Sequence, residues 1–118
     1  MLAGALLRAG AIQGLHAQAK PPVYVVSEIT VTNVDAYAKE YAPLAQAAIK
    51  KTGGKLVALS QNPTSLEGAP DQSRVTINVY DSLEKAQTSR NSPDYKAARI
   101  IGDKYATFRA FVVEGRPE

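Results

Sequence analysis

Four short runs of β-branched and aromatic residues, spaced by helical patterns and one long loop, restrict this chain more than any other feature. Val23 to Thr30 (VYVVSEIT) alternates with a period of two, the period of a strand. Lys55 to Ser60 (KLVALS), Arg74 to Tyr80 (RVTINVY) and Thr107 to Glu114 (TFRAFVVE) repeat the signal. Between the first two runs, Tyr37, Tyr41, Leu44, Ala48 and Ile49 fall at helical spacing on one face. Asp35 is the expected N-cap, Lys50 and Lys51 lie in the last turn, and Gly53-Gly54 ends the helix. Pro43 falls inside it and cannot donate to the Lys39 carbonyl, which predicts a kink or a break.

Gln61 to Ser73 is a connection rich in Pro, Gly, Ser and Asp, with a short extended piece expected at Ser65-Leu66-Glu67. After the third run, Asp81-Ser82-Leu83-Glu84 has capping-box spacing and opens a helix to about Thr88. Ser92 then caps a further helix with Pro93 at its first position, expected to bury Tyr95, Ala98, Ile101 and Tyr105. Strand, helix, strand, strand, helix, strand is the split β-α-β order. The expectation is an α+β, ferredoxin-like β-α-β-β-α-β domain, with helices on one face of a four-stranded antiparallel sheet.

The other face of that sheet decides the assembly. Arg74 to Tyr80 puts Val75, Ile77 and Val79 on one side and Arg74, Thr76, Asn78 and Tyr80 on the other. The apolar set is expected beneath the helices. The second and fourth runs are apolar on both sides: Leu56 and Ala58 oppose Val57 and Leu59, while Phe108, Ala110 and Val112 oppose Phe111 and Val113. A sheet wetted on one side alternates with polar residues, and a contiguous apolar face is rarely left bare. A homodimer packed sheet against sheet, a dimeric α+β barrel, is the simplest cover.

Composition narrows the chemistry. The only histidine, His16, and the only methionine, Met1, lie in the first nineteen residues, and there is no Cys or Trp. Residues 20–118, read as a single domain, therefore lack an imidazole base, a thiolate and any N or S side-chain ligand for zinc or haem. Neither a metal nor a cofactor is expected. The positive charge is mild and interspersed with acids, which does not point to nucleic acid. RNA-recognition domains share the strand order but need stacking aromatics on the central strands, and Arg74 to Tyr80 lacks their pattern. No apolar run is long enough to span a membrane.

Met1 to Ala19 reads as a signal peptide. It is rich in Ala, Gly and Leu and ends Ala17-Gln18-Ala19, the small-x-small pattern of a cleavage site after Ala19. Its one base, Arg8, follows Leu6 and Leu7 rather than preceding them. The expected location is periplasmic or secreted, with an N-terminal arm on a cytoplasmic protein as the alternative.

Several motifs then line up in order. Tyr24-Val25-Val26-Ser27-Glu28-Ile29 is followed by Tyr37 in a helix, Gly53-Gly54, Leu66-Glu67-Gly68, Asn91-Ser92-Pro93-Asp94-Tyr95-Lys96 and Val113-Glu114-Gly115. Over about Pro22 to Gly115 the chain resembles an uncharacterised domain-of-unknown-function family of the dimeric α+β-barrel superfamily. The resemblance implies a ferredoxin-like protomer that pairs with a second copy, and no particular activity. The wider superfamily is similar in fold to cofactor-free monooxygenases, isomerases, haem-dependent peroxidases and ligand-binding regulators. Family members often carry a His before the Gly-Gly turn, where this chain has Lys51-Thr52.

The candidate site residues each have a structural alternative. Tyr37, Tyr41, Tyr95 and Tyr105 are core aromatics or the phenols of a pocket between helices and sheet. Glu28, in mid-strand, needs a partner such as Arg109 or Asn78, and is either a structural pair at the dimer interface or a general base. Arg99 pairs with Asp103 along its helix or anchors an anion. Glu67 is a solvated loop acid or sits at a pocket mouth. The chain is thus read as a homodimer binding a small molecule. The alternative is a cofactor-free isomerase or monooxygenase of a small aromatic or lactone.

Overall fold

The computed structural model describes residues 20–69 and 74–117. The expected signal segment, Met1 to Ala19, lies outside them. Four strands, β1 (Val23–Val31), β2 (Lys55–Ser60), β3 (Arg74–Tyr80) and β4 (Ala106–Glu114), form one antiparallel sheet in the order β2-β3-β1-β4. Three helices cover one face. The first, α1, runs without interruption through Val34–Ala36, a π-helical turn at Tyr37–Tyr41 and Ala42–Lys51. The others are α2 (Leu83–Arg90) and α3 (Pro93–Gly102). This is the ferredoxin-like α+β architecture expected from the order of elements.

Local signals act largely as anticipated, with shifts that have physical causes. Ser92 caps α3 by accepting from the Tyr95 amide, as expected, whereas α2 is capped by Ser82, which accepts from the Lys85 amide, one residue past the Asp81 that the capping-box spacing marks. Helix α2 continues past Thr88 to Arg90, β1 runs one residue further, to Val31, and β4 starts at Ala106. The N-cap of α1 is Asn33 rather than Asp35; its side chain accepts from the Ala36 amide, which leaves Asp35 in the first turn beside the positive end of the dipole. Ser65 to Glu67 forms no strand; the Ser65 hydroxyl instead closes a turn on the Glu67 and Gly68 carbonyls. Gly53 reverses the chain after α1 at φ 93°, a conformation that favours glycine.

Pro43 produces a widened turn rather than a break. The Ala42 amide donates five residues back to the Tyr37 carbonyl, which accommodates the N–H missing at Pro43 without ending the helix. The extra residue rotates the remainder of α1 about its axis. Ala45, with Ala48 and Ile49, takes the buried stripe, and Leu44 is turned outward to 47% exposure. The expected inward Leu44 is thereby corrected.

The larger correction concerns β3. Its buried residues are Thr76, Asn78 and Tyr80, and these face the helices; Val75, Ile77 and Val79 face the opposite side. Register explains it. Thr76 pairs with Ser27 and Asn78 with Val25, both buried under helices, whereas Val75 pairs with Glu28 and Ile77 with Val26. In β2, a bulge between Leu56 and Ala58 puts Leu56 opposite Asn78 and Leu59 opposite Thr76, so both leucines share the helix side. They had been expected on opposite faces.

The polar residues beneath the helices are compensated by hydroxyl contacts and rings. Ser89, fully buried, bonds the Tyr80 hydroxyl at 2.8 Å and the Thr52 hydroxyl at 2.6 Å, tying α1, α2 and β3 together. Such neutral bonds contribute about 0.5–1.5 kcal/mol each. Tyr41 meets Tyr37 at 5.1 Å and, edge-on, Phe108 at 5.3 Å between ring centroids; pairs of this kind add about 0.5–1.5 kcal/mol beyond area burial. Gly102 lets α3 approach this cluster, because a Cβ there would lie 2.5 Å from the Tyr41 ring.

The helix-free face carries Tyr24, Val26, Val75, Ile77 and Val79 with Phe111 and Val113. Phe111 is 38% and Val113 47% exposed. Among the described residues no helix is long and apolar enough to cross a membrane.

Candidate functional site

Between α1 and the sheet lies a cavity of about 90 Å³, several times the roughly 10–15 Å³ one water requires. Its floor is the inward row of the sheet: Ser27 and Ile29 of β1, Arg74, Thr76 and Asn78 of β3, Leu56 and Leu59 of β2, and Phe108 of β4. Its roof is Tyr37, Tyr41, Ala45 and Ile49 of α1, with Arg90 from the end of α2 and Tyr95 from α3. Leu56 and Leu59 are 36% and 49% exposed, so the opening lies under edge strand β2.

Three buried side-chain atoms among the described residues have no hydrogen-bond partner: Arg74 Nε, Arg90 Nε and Asn78 Oδ1. All three residues line this cavity. Asn78 is only 1% exposed. The guanidiniums are held by their surroundings. Arg74 lies 4.8 Å over the Tyr37 ring and Arg90 4.7 Å over the Tyr95 ring, and Arg90 Nη2 donates to Ser27 Oγ at 3.2 Å.

The phenols are held neutral. Burial, reinforced by the neighbouring Tyr95, pushes the Tyr41 hydroxyl well above the ordinary range of a phenol. Burial also raises Tyr37, partly offset by the positive charge of Arg74. At neutral pH these groups donate hydrogen bonds and are poor proton acceptors.

Of the residues singled out from sequence, the structure brings Tyr37, Tyr41, Asn78 and Tyr95 to this one cavity. It places the others elsewhere. Glu28 lies on the helix-free face, cross-strand from Arg109, whose Nη1 donates to its Oε1 at 2.7 Å; Asn78, the other partner considered for it, is on the opposite side of the sheet. Arg99 stands 3.8 Å over the Phe108 ring and pairs with Asp103 at 2.9 Å. Burial works against its charge, but its hydrogen bonds to Asp103 and Tyr95 outweigh that and raise its pKa. Glu67 is exposed in the β2–β3 loop, and Tyr105 donates to Glu40 at 2.9 Å. Arg74 and Arg90 were missed as site residues. Arg74 belongs to the polar set of β3, and only the reversed facing of that strand turns the set into a cavity wall.

A ferredoxin-like α+β sheet roofed by helices over a cavity of mixed polar and apolar lining defines the class of fold. The family described as a domain of unknown function (DUF1330) matches residues 22–116, and the chain belongs to it. Among solved structures, the chain is similar to a protein of unknown function from Rhodopseudomonas palustris (18% identity, 93% of this chain and 95% of that one, TM-score 0.66). It is similar also to SnoaB, a cofactor-independent oxygenase from Streptomyces nogalater (16% identity, 81% and 94%, TM-score 0.62). A third is Rv0793 from Mycobacterium tuberculosis (23% identity, 82% and 97%, TM-score 0.54). No significant match was found among curated proteins.

The raised phenol pKa values have a consequence for stability. Below about pH 10 folded and unfolded chains both keep these protons; above it the unfolded phenols ionise first. Stability should hold from neutral pH to about 10 and then fall, each buried phenol contributing up to about 1.4 kcal/mol per pH unit. Urea midpoints at rising alkaline pH, with tyrosinate absorbance, check this, and Tyr41→Phe should flatten the decline. An unchanged slope in that variant would remove Tyr41 from the account.

Proposed function

We propose that this chain is a homodimeric small-molecule-binding protein whose ligand occupies the cavity between the helices and the sheet. The observation that carries the reading is the Asn78 side chain, a buried amide of the cavity wall whose oxygen has no donor. An acceptor left so costs about 1–3 kcal/mol, a penalty that a ligand donor relieves. Binding is favoured over catalysis because the lining offers phenols held neutral, an amide and guanidiniums, while Glu28 is on the other side of the sheet, paired with Arg109. The second reading, a cofactor-free isomerase or monooxygenase of a small aromatic or lactone, draws support from the likeness to a cofactor-independent oxygenase and from phenols able to donate to a developing oxyanion.

A fragment screen by ligand-observed NMR tests the first reading. Fragments should bind the parent protein, and Asn78→Leu, folded by circular dichroism, should weaken them at least tenfold. Hits indifferent to that change would remove the cavity from consideration. Oxygen uptake or isomerised product with a bound fragment would favour the second reading.

The homodimer rests on the helix-free face, where Val26, Ile77 and Phe111 form one cross-strand row and Tyr24, Val79 and Val113 the next. An apolar surface of this kind is stable in water when a second copy covers it. The expected species in sedimentation at micromolar concentration is a dimer, and Ile77→Asp should convert it to a folded monomer. A monomeric parent protein would refute the assembly.

The Ala17-Gln18-Ala19 pattern supports export. Expressed with its leader in a Gram-negative host, the protein should be recovered from the periplasm beginning at Lys20; an intact Met1 in the cytoplasm would count against it.

A further inference from the structure

We infer that the cavity selects a small, planar organic anion that also carries its own hydrogen-bond donor, a hydroxy acid or its enolate equivalent. The inference rests on the reading of this cavity as a ligand site and adds the class of ligand. Two guanidiniums, Arg74 and Arg90, line the space, and none of the described lining residues is a carboxylate. Arginine does not lose its proton in proteins, so both charges persist. A partly desolvated charge needs a counter-charge or a full set of acceptors.

Several acids among the described residues are engaged elsewhere. On the elements that surround the cavity, Asp94 pairs with Lys51, Asp103 with Arg99 and Asp81 with Lys85, while Glu40 accepts from Tyr105. Glu28 pairs with Arg109 on the far face of the sheet. The positive charge of the cavity is therefore not neutralised by the lining.

Geometry adds the second requirement. Arg74 is the first residue of β3 and Arg90 the last of α2, each with its guanidinium over a tyrosine ring, and each leaves Nε without an acceptor. The two guanidiniums that line the cavity call for anionic oxygens, their strong partners. Asn78 Oδ1 is the reverse, an acceptor without a donor. An anion alone would satisfy the arginines and be repelled by that oxygen. A molecule with both an anionic group and a hydroxyl or amide donor satisfies all three. The aliphatic lining of Ile29, Ile49, Leu56 and Leu59 accommodates a flat carbon skeleton.

Salicylate and salicylamide are the probes, matched in ring and hydroxyl and differing in charge. Isothermal titration on the unaltered protein, at physiological salt, should show salicylate binding at least tenfold more tightly. The double variant Arg74→Gln with Arg90→Gln should abolish that preference, read as the ratio of the two affinities in the same variant. Equal affinity for the two, preference for the amide, or a salicylate affinity indifferent to the double variant would overturn the anion assignment while leaving a ligand cavity intact. Binding of neither probe would overturn it too, and the fragment screen with Asn78→Leu then shows separately whether the cavity reading survives. The acid–amide comparison requires no variant to fold.

Discussion

A sheet roofed by helices ordinarily turns its apolar side toward them. Here β3 turns Thr76, Asn78 and Tyr80 inward and sends Val75, Ile77 and Val79 out, and the register with β1 holds it there. Because side chains alternate with a period of two, one choice of face settles both surfaces at once. The inward row cannot be closed over with aliphatic side chains alone without stranding its polar groups. The helices meet it with tyrosines, serine and threonine hydroxyls and an arginine, and a gap of mixed polar and apolar lining remains. The outward row is left as the apolar surface for which we propose a second copy.

The roof is shaped by a single backbone irregularity. Pro43 removes one donor from α1, and the helix answers with a π turn that carries Tyr37 and Tyr41. The added residue brings small Ala45, instead of Leu44, over the sheet. A leucine there would occupy space that now belongs to the cavity. Tyr41 is then locked by Phe108 on one side and by the backbone of α3 at Gly102 on another. Rigid aromatic walls of this sort hold a pocket open in the absence of a ligand, which limits the ordering cost of binding.

Much of the fold was legible along the chain. The limits of β2 and β3, the cap at Ser92 and the stop at Gly53 follow from local rules about alternation, hydroxyl capping and positive φ, and they stand in the structure. Tyr37, Tyr41, Asn78 and Tyr95 stand out in the sequence, the tyrosines through helical spacing and Asn78 as a partner for Glu28. Their meeting in one cavity was only half anticipated. Arg74 and Arg90 do not stand out, because a charged residue at a strand start or a helix end is ordinarily solvated. Nothing in the periodicity distinguishes these two from such residues.

Amino-acid order alone determined which segments become strands and helices, and in what succession, because capping, turn chemistry and hydrophobic period operate over a few neighbouring residues. It also determined what chemistry is missing from residues 20–118, since a side chain that is not encoded cannot act. Tertiary structure alone decided which face of β3 lies under the helices, where Leu56 and Leu59 point after the bulge, and that Glu28 and Asn78 stand on opposite sides of the sheet. Those outcomes depend on pairing register between strands far apart in the chain, and an alternating strand is equally consistent with either side until its partners choose.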